Sequence, residues 1–288
     1  MIFILFIAGL GLIVGSFLNA LIYRLNTEES VLKGRSHCID CSRVLTWYEL
    51  VPVFSFIAQK GRCRGCGEKI SIQYPLVEIS TAMLFLQISN FKFQISNGLS
   101  FEMLAEIVFL WFIVGGLLVI FVYDLKHYLI PDKILVPLIF VVLFAELFGI
   151  WHLDFMARLS AAIPAFGLGI WYLEFGILDL GSVFNGLALA VLSVLPFALM
   201  HFLSKGRAMG FGDVKLAFFM GLFLGYPAVL TAMFIAFLMG AIIGMGLMVL
   251  GRSTMKSRVP FGPFLVAGTL MALFWSESLS SWYINLFY

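Results

Sequence analysis

Stretches of nearly unbroken apolar residues recur along this chain between short polar loops, and they leave few folds open. Several approach the roughly 20 residues that cross a hydrocarbon core as a helix. In lipid every backbone donor and acceptor must pair internally, so such runs have to be helical. Composition agrees: 62% of the 288 residues are hydrophobic and 12% are charged. That is about half the roughly 25% charge of a soluble domain, and mean hydropathy is +1.05. The expected class is an all-α polytopic membrane protein whose first partner is the lipid bilayer. A soluble helical bundle lacks the charge to cover its surface.

The apolar runs predict about eight transmembrane helices, near residues 2–23, 75–88, 103–123, 133–151, 182–202, 214–224, 227–250 and 261–275. The first lacks a basic segment ahead of it, so it reads as a retained span and not a cleaved signal. It carries Gly9, Gly11, Gly15 and Ser16, small residues that admit a neighbouring helix closely. Eight of the 18 Lys and Arg residues fall between Arg24 and Lys69. Basic loops stay in the cytoplasm, which puts the N-terminus outside and residues 24–74 inside as a small cytoplasmic domain. The expected organisation is a first helix over 1–23, that domain over 24–74, and a helical membrane domain over 75–288. A small duplication, QISN at Gln87–Asn90 and again at Gln94–Asn97, falls where a short outer loop is expected. The basic loop Arg252–Arg258 is also expected in the cytoplasm. A further apolar stretch, Leu159–Gly181, does not fit as a single crossing. Pro164, Gly167, Gly169 and Gly176 interrupt it, and a re-entrant or interfacial hairpin is expected there.

All four cysteines fall in two pairs, Cys38-x-x-Cys41 and Cys63-x-x-Cys66. Two such knuckles can bring four thiolates around one tetrahedral ion, and zinc suits four sulfurs. Gly65 and Gly67 supply permissive turn residues. Disulfides are disfavoured in a reducing compartment. Four protein ligands leave no position for water, so the expected zinc is structural.

Ionisable residues near or within membrane helices are costly and read as functional candidates. Asp124 stands at a helix end in Tyr123-Asp124-Leu125, followed by Ile130-Pro131-Asp132. Asp213 stands in Gly210-Phe211-Gly212-Asp213, where Gly210 and Gly212 form a candidate site loop. Counting crossings puts both aspartates on the cytoplasmic side. Two carboxylates held together share a proton, so one can activate water while the other hydrogen-bonds a scissile carbonyl. The bland alternative is that each caps a helix or snorkels at the interface, and for Asp132 capping is the preferred reading. Glu78 sits early in the second helix, and Glu106 and Glu146, within apolar runs, read as interhelical partners. His37, His127, His152 and His201 are scattered, with no metalloprotease pattern. A transporter or ion channel using intramembrane aspartates as a relay is the competing class. It predicts inverted repeats, which the sequence lacks.

Taken in order, the motifs resemble one family, the prepilin peptidases or type IV leader peptidases. Gly15-Ser16-Phe17-Leu18-Asn19 with Tyr23-Arg24 comes first, then the two cysteine knuckles flanking Trp47-Tyr48-Glu49 and Pro52. Ile70-Ser71, Tyr74-Pro75 and Val77-Glu78 follow. Asp124 with Ile130-Pro131-Asp132, Met209–Leu216, and Pro260-Phe261-Gly262-Pro263-Phe264 complete the series. The resemblance implies an intramembrane aspartyl protease with Asp124 and Asp213 as the catalytic pair. Its implied substrates are prepilins or pseudopilins with a basic leader and a hydrophobic stem. It further implies N-methylation of the new N-terminus from S-adenosylmethionine, associated with the cysteine domain, in a bacterial inner membrane. No nucleic acid partner is expected. Two departures stand out: Ile39-Asp40 replaces a proline-containing first knuckle, and the segment between the aspartates is longer than the family norm.

Overall fold

The computed structural model describes residues 2–27, 34–95, 100–151, 174–175, 178–206, 209–251 and 259–287. Among them are eight helices of 14 residues or more: α1 Ile2–Leu25, α3 Gln73–Ile95, α4 Phe101–His127, α5 Asp132–Leu147, α6 Leu180–Leu203, α7 Phe211–Leu224, α8 Ala228–Val249 and α9 Gly262–Phe287. They match the eight expected spans in number and order. Four contain segments long and apolar enough to cross a membrane by length and composition: Ile2–Leu25, Phe101–His127, Gly186–Leu203 and Ala228–Val249. Between α1 and α3 lie a single turn of 3-10 helix, Trp47–Glu49, and the short α2, Phe54–Ala58. The protein is a nearly all-helical membrane protein with a small four-cysteine module. The described strands are the two-residue β1 Glu174–Phe175 and β2 Leu178–Asp179, paired antiparallel.

The chain divides into two compact units, Met1–Val119 and Ile120–Tyr288. In the first, α1 packs along α3. A Cβ at Gly11 would lie 2.5 Å from Ala82 Cα, and one at Gly15 would lie 2.6 Å from Glu78 Cα. Glycines four residues apart thus let two backbones meet, as membrane helices require where lipid offers no hydrophobic drive. Gly9 has open space around it. Asn19, one turn beyond Gly15, is buried. Its amide donates to Gly15 O (3.3 Å) and Tyr74 O (3.0 Å) and accepts from Gln73 Nε2 at 3.2 Å. The asparagine of the first motif therefore ties α1 to the start of α3.

The second helix differs from expectation by running on to Ile95, through the first QISN copy and into the second. Two polar residues of this stretch have partners that let the helix run on. Ser89 Oγ donates to Phe85 O at 2.7 Å, and Lys92 pairs with Glu106 of α4. Trp111 of α4 stacks on Phe85 at 4.7 Å and donates its indole N–H to the Phe85 carbonyl.

In the second unit α6 packs along α7, and α8 along α9. A Cβ at Gly221 would lie 2.7 Å from Leu189 O, and one at Gly268 would strike the Ala232 carbonyl. Glu146 of α5 is fully buried against Gly186 of α6, whose missing side chain makes room for its carboxyl group. The expected Leu159–Gly181 hairpin falls largely outside the described residues; its described end holds β1, β2 and the start of α6. The Arg252–Arg258 loop lies wholly outside them.

Candidate active site and metal centre

Asp124 projects from the last turn of α4, a helix that closes at Tyr128, where φ is +55° and the N–H reaches back to Asp124 O at 2.9 Å. The chain then extends through Ile130 and Pro131 and re-enters a helix at Asp132. Asp213 lies in the first turn of α7, whose N-cap is Gly210. Its Oδ2 accepts the Gly210 N–H at 3.2 Å. Part of the capping reading therefore holds for Asp213, with that hydrogen bond orienting the carboxylate. Both aspartates are buried, Asp124 at 4% and Asp213 at 8% exposure. They are close enough for the charge of Asp124 to be felt at Asp213.

Ile130 sits at the junction. A Cβ at Gly212 would lie 3.2 Å from Ile130 Cβ, and one at Gly262 would lie 3.3 Å from Ile130 Cδ1. Gly262 also donates its N–H to the Asp124 carboxylate, and a Cβ there would collide with Asp124 Oδ2. Gly212 is thus a packing residue inside a helix turn, and Gly262 is where the backbone meets a carboxylate. Three separated segments, around residues 130, 212 and 262, converge on the aspartate pair.

Asp132 is not the cap expected of it. Pro131 occupies the N-cap position, and Asp132 accepts from Lys215 Nζ with both oxygens, at 2.8 and 2.7 Å. The bridge joins the start of α5 to the start of α7. His201, set aside as scattered, has its Nδ1 2.9 Å from Met209 O and its ring against Phe211. It steadies the approach to Gly210.

In the first unit the ligand atoms of Cys38, Cys41, Cys63 and Cys66 all lie within 4.8 Å of one another, with Cys38 and Cys66 Sγ 3.9 Å apart. Four sulfurs at about 2.3 Å from one tetrahedral ion stand about 3.8 Å apart, so the donors fit a metal ion. The knuckles share one backbone pattern. Ser42 N–H bonds Cys38 O and Gly67 N–H bonds Cys63 O, while Cys38 N–H bonds Arg43 O and Cys63 N–H bonds Glu68 O, each at 2.9 Å. The left-handed positions are Ser42 (φ +55°) and Gly67 (φ +74°); Gly65 instead makes room for Arg43, whose Nε would stand 2.9 Å from a Cβ there. The Cys66 and Gly65 N–H groups pull the Cys63 thiol down to about 6. For Cys66 the Glu68 N–H lowers the value, but burial and the crowding of Cys63, Cys41 and Cys38 outweigh it and push the thiol up to about 12. Four thiolates this close need a cation among them. Nearby, the Thr46 N–H and the Arg43 guanidinium hold Glu49 down to about 2. The Trp-Tyr-Glu motif is thereby fastened to the first knuckle.

Residues 10–91 match the bacterial peptidase A24 N-terminal domain, and residues 111–245 match the type IV leader peptidase family. A prepilin leader peptidase/N-methyltransferase of Bacillus subtilis is 33% identical over 286 residues, covering 99% of each chain. The chain belongs to the type IV leader peptidase family. Relatives of the same name in Aeromonas hydrophila (29% identical, 96% of this chain and 92% of the relative) and Pseudomonas aeruginosa (28%, 98% and 94%) match along nearly their whole lengths. No solved structure matches.

Proposed function

We propose that this leader peptidase family member cleaves the short basic leader from prepilins or pseudopilins by aspartyl-protease chemistry at the cytoplasmic face of the bacterial inner membrane. The observation that carries the reading is the convergence of buried Asp124 and Asp213 beside the Gly262 N–H, in a chain whose relatives are named for this reaction. Two carboxylates within electrostatic reach hold one proton between them. The ionised member takes a proton from water as that water attacks the scissile carbonyl, and the neutral member donates a hydrogen bond to the carbonyl oxygen. The Gly210 and Gly262 N–H groups fix the two carboxylates, so neither has to reorient as charge develops. A basic leader suits the acidic site, while the hydrophobic stem stays in lipid.

The second activity in the relatives' name is N-methylation of the freed amine. S-adenosylmethionine would supply the methyl group: the N–C bond forms as the C–S bond breaks, sulfur keeps the electron pair as a neutral thioether, and the amine sheds one proton to solvent. In this reading residues 1–23 are the first span and residues 75–288 carry cleavage. Residues 24–74 form the module in which Cys38, Cys41, Cys63 and Cys66 hold zinc. A closed four-thiolate site contributes folding free energy and leaves no position for water.

The test is cleavage of a prepilin-like peptide, with a basic leader and an apolar stem, by the purified protein in lipid nanodiscs. Asp124→Asn and Asp213→Asn should each lower the rate by about a thousandfold. Full-rate cleavage by either variant sinks the pairing.

A further inference from the structure

The imidazole of His201, in the last turn of α6, holds a peptide bond that Asp213 also uses. Its Nδ1 stands 2.9 Å from Met209 O, and a carbonyl oxygen only accepts, so Nδ1 carries the hydrogen. The N–H of that same Met209–Gly210 peptide donates to Asp213 Oδ2 at 3.2 Å. A peptide unit is planar, so holding its oxygen also aims its N–H. We infer that His201 is a positioning residue for leader cleavage, setting the Asp213 carboxylate through the Met209–Gly210 peptide, an inference that rests on the aspartate-pair reading above.

Two features make such a hold necessary. Gly210 has no Cβ, so the peptide ahead of it turns more freely than one flanked by side chains. Asp213 is buried, and a buried carboxylate that loses a hydrogen bond is left with the cost of its desolvation. A hydrogen bond to the carbonyl also polarises the peptide and strengthens its N–H as a donor. Closing its own helix does not require the imidazole, because other groups do that. His201 O accepts the Gly206 N–H at 2.8 Å and the Ser204 hydroxyl at 3.2 Å, and Gly206, with φ at +74°, makes the left-handed turn at the end of α6. The ring is held from two sides. A Cβ at Gly206 would lie 3.4 Å from His201 Cε1, and the Phe211 ring packs against the imidazole with centroids 5.7 Å apart. Lys215 Nζ stands 5.3 Å from the centre of that same Phe211 ring. His201 and the first turn of α7 are thereby fastened to each other by the ring as well as by the peptide.

The experiment is steady-state cleavage of the prepilin-like peptide by the full chain in nanodiscs, with an unfolding midpoint measured for each variant. His201→Phe keeps a ring but has no donor, and His201→Ala removes both. Misplacing a catalytic group by about 1 Å costs on the order of a hundredfold. Asp213 keeps its place on α7, so each variant should lose only part of that, about tenfold in kcat, with KM within about twofold of wild type. His201→Asn sets an amide nitrogen where Nδ1 stands and should recover kcat to within about threefold of wild type. A packing role alone predicts the opposite order, with the Phe variant active and the Asn variant impaired. If His201→Phe does not fold, the Ala and Asn variants decide. Wild-type kcat in a folded Phe or Ala variant, a loss confined to KM, or no recovery with Asn overturns the inference. Asp124→Asn and Asp213→Asn, run alongside, separate the two failures. If both are inactive while the His201 variants cut normally, the inference falls and the aspartate pair stands. If either cuts at full rate, the pair falls and the inference falls with it.

Discussion

Around Cys38 and Cys63 the backbone is shaped by short-range bonds within each knuckle, whereas around Asp124 and Asp213 it is shaped by helices and loops far apart in sequence. The knuckles repeat the same two hydrogen bonds, and of their cysteines only Cys63 is buried in the protein. The aspartate pair depends on Ile130, Gly212 and Gly262, brought together by α4, α5, α7 and α9. The first region has little apolar core of its own, and in the proposed reading an ion holds its sulfurs together. The second is held by packing, and its charges are guests in that packing. Removing the ion should therefore damage one region and spare the other, while adding a methyl group should do the reverse.

The largest expected effect is metal removal. Four-cysteine sites of this kind draw about 10–16 kcal/mol from zinc, so a strong chelator should open the module over residues 34–71 to proteolysis while the helical content of the bundle persists. Limited proteolysis with mass spectrometry, read beside far-UV circular dichroism, checks this. Zinc measured at one equivalent per chain before chelation is part of the same expectation. A module that stays protected without metal would break the comparison.

Next in size is Gly262→Ala. The added Cβ meets the Asp124 carboxylate and the tip of Ile130, so Asp124 must move or the start of α9 must retreat. Misplacing a catalytic group by about 1 Å costs on the order of a hundredfold, and leader cleavage should fall by about that factor. Zinc content and donor binding should not change. Gly212→Ala, set against Ile130 alone at 3.2 Å, should cost less. Equal losses would mean that Ile130, and not the carboxylate, is the sensitive contact.

Much of this was legible in the sequence. The cysteine spacing pointed to a common centre, and the structure gathers all four sulfurs. The ordered motifs pointed to Asp124 and Asp213, and the structure brings them within electrostatic reach. What the sequence did not disclose is why the accompanying glycines are there. Gly262 carried a motif but no role, because its partner Asp124 lies on another helix and nothing in local spacing links them. The Lys215–Asp132 bridge, 83 residues apart in sequence, was hidden for the same reason. So was the hold of His201 on Met209, a contact set by where the α6–α7 connection folds back. The extension of α3 through the first QISN copy and into the second was missed for a different reason. Polar residues in a run suggest a loop unless their partners, here Phe85 O for Ser89 and Glu106 for Lys92, are known.

A smaller effect sharpens the cysteine side. Ser42 holds φ at +55° where the second knuckle has Gly67, and a left-handed residue with a Cβ costs roughly 1–2 kcal/mol. Ser42→Gly relieves that cost but gives the unfolded chain more freedom, so the net expectation is a gain of about 1 kcal/mol. Competition with a chelator of known affinity should show zinc held about fivefold more tightly. Gly67→Ser should weaken it by a similar factor, making the two knuckles interchangeable in this respect.

The smallest expected effect tests whether charge or packing sets the aspartates. Lys215 and Asp132 make two hydrogen bonds, but their side chains remain 35% and 56% exposed. Pairs this open contribute about 0–1 kcal/mol and are screened by salt. Lys215→Ala should shift the unfolding midpoint by a few degrees at most and slow leader cleavage by less than about tenfold. High salt should produce much of the same loss in the wild type. If the variant instead loses as much activity as Gly262→Ala, the bridge between α5 and α7 positions the aspartates, and the packing of Ile130 against the two glycines is secondary to it.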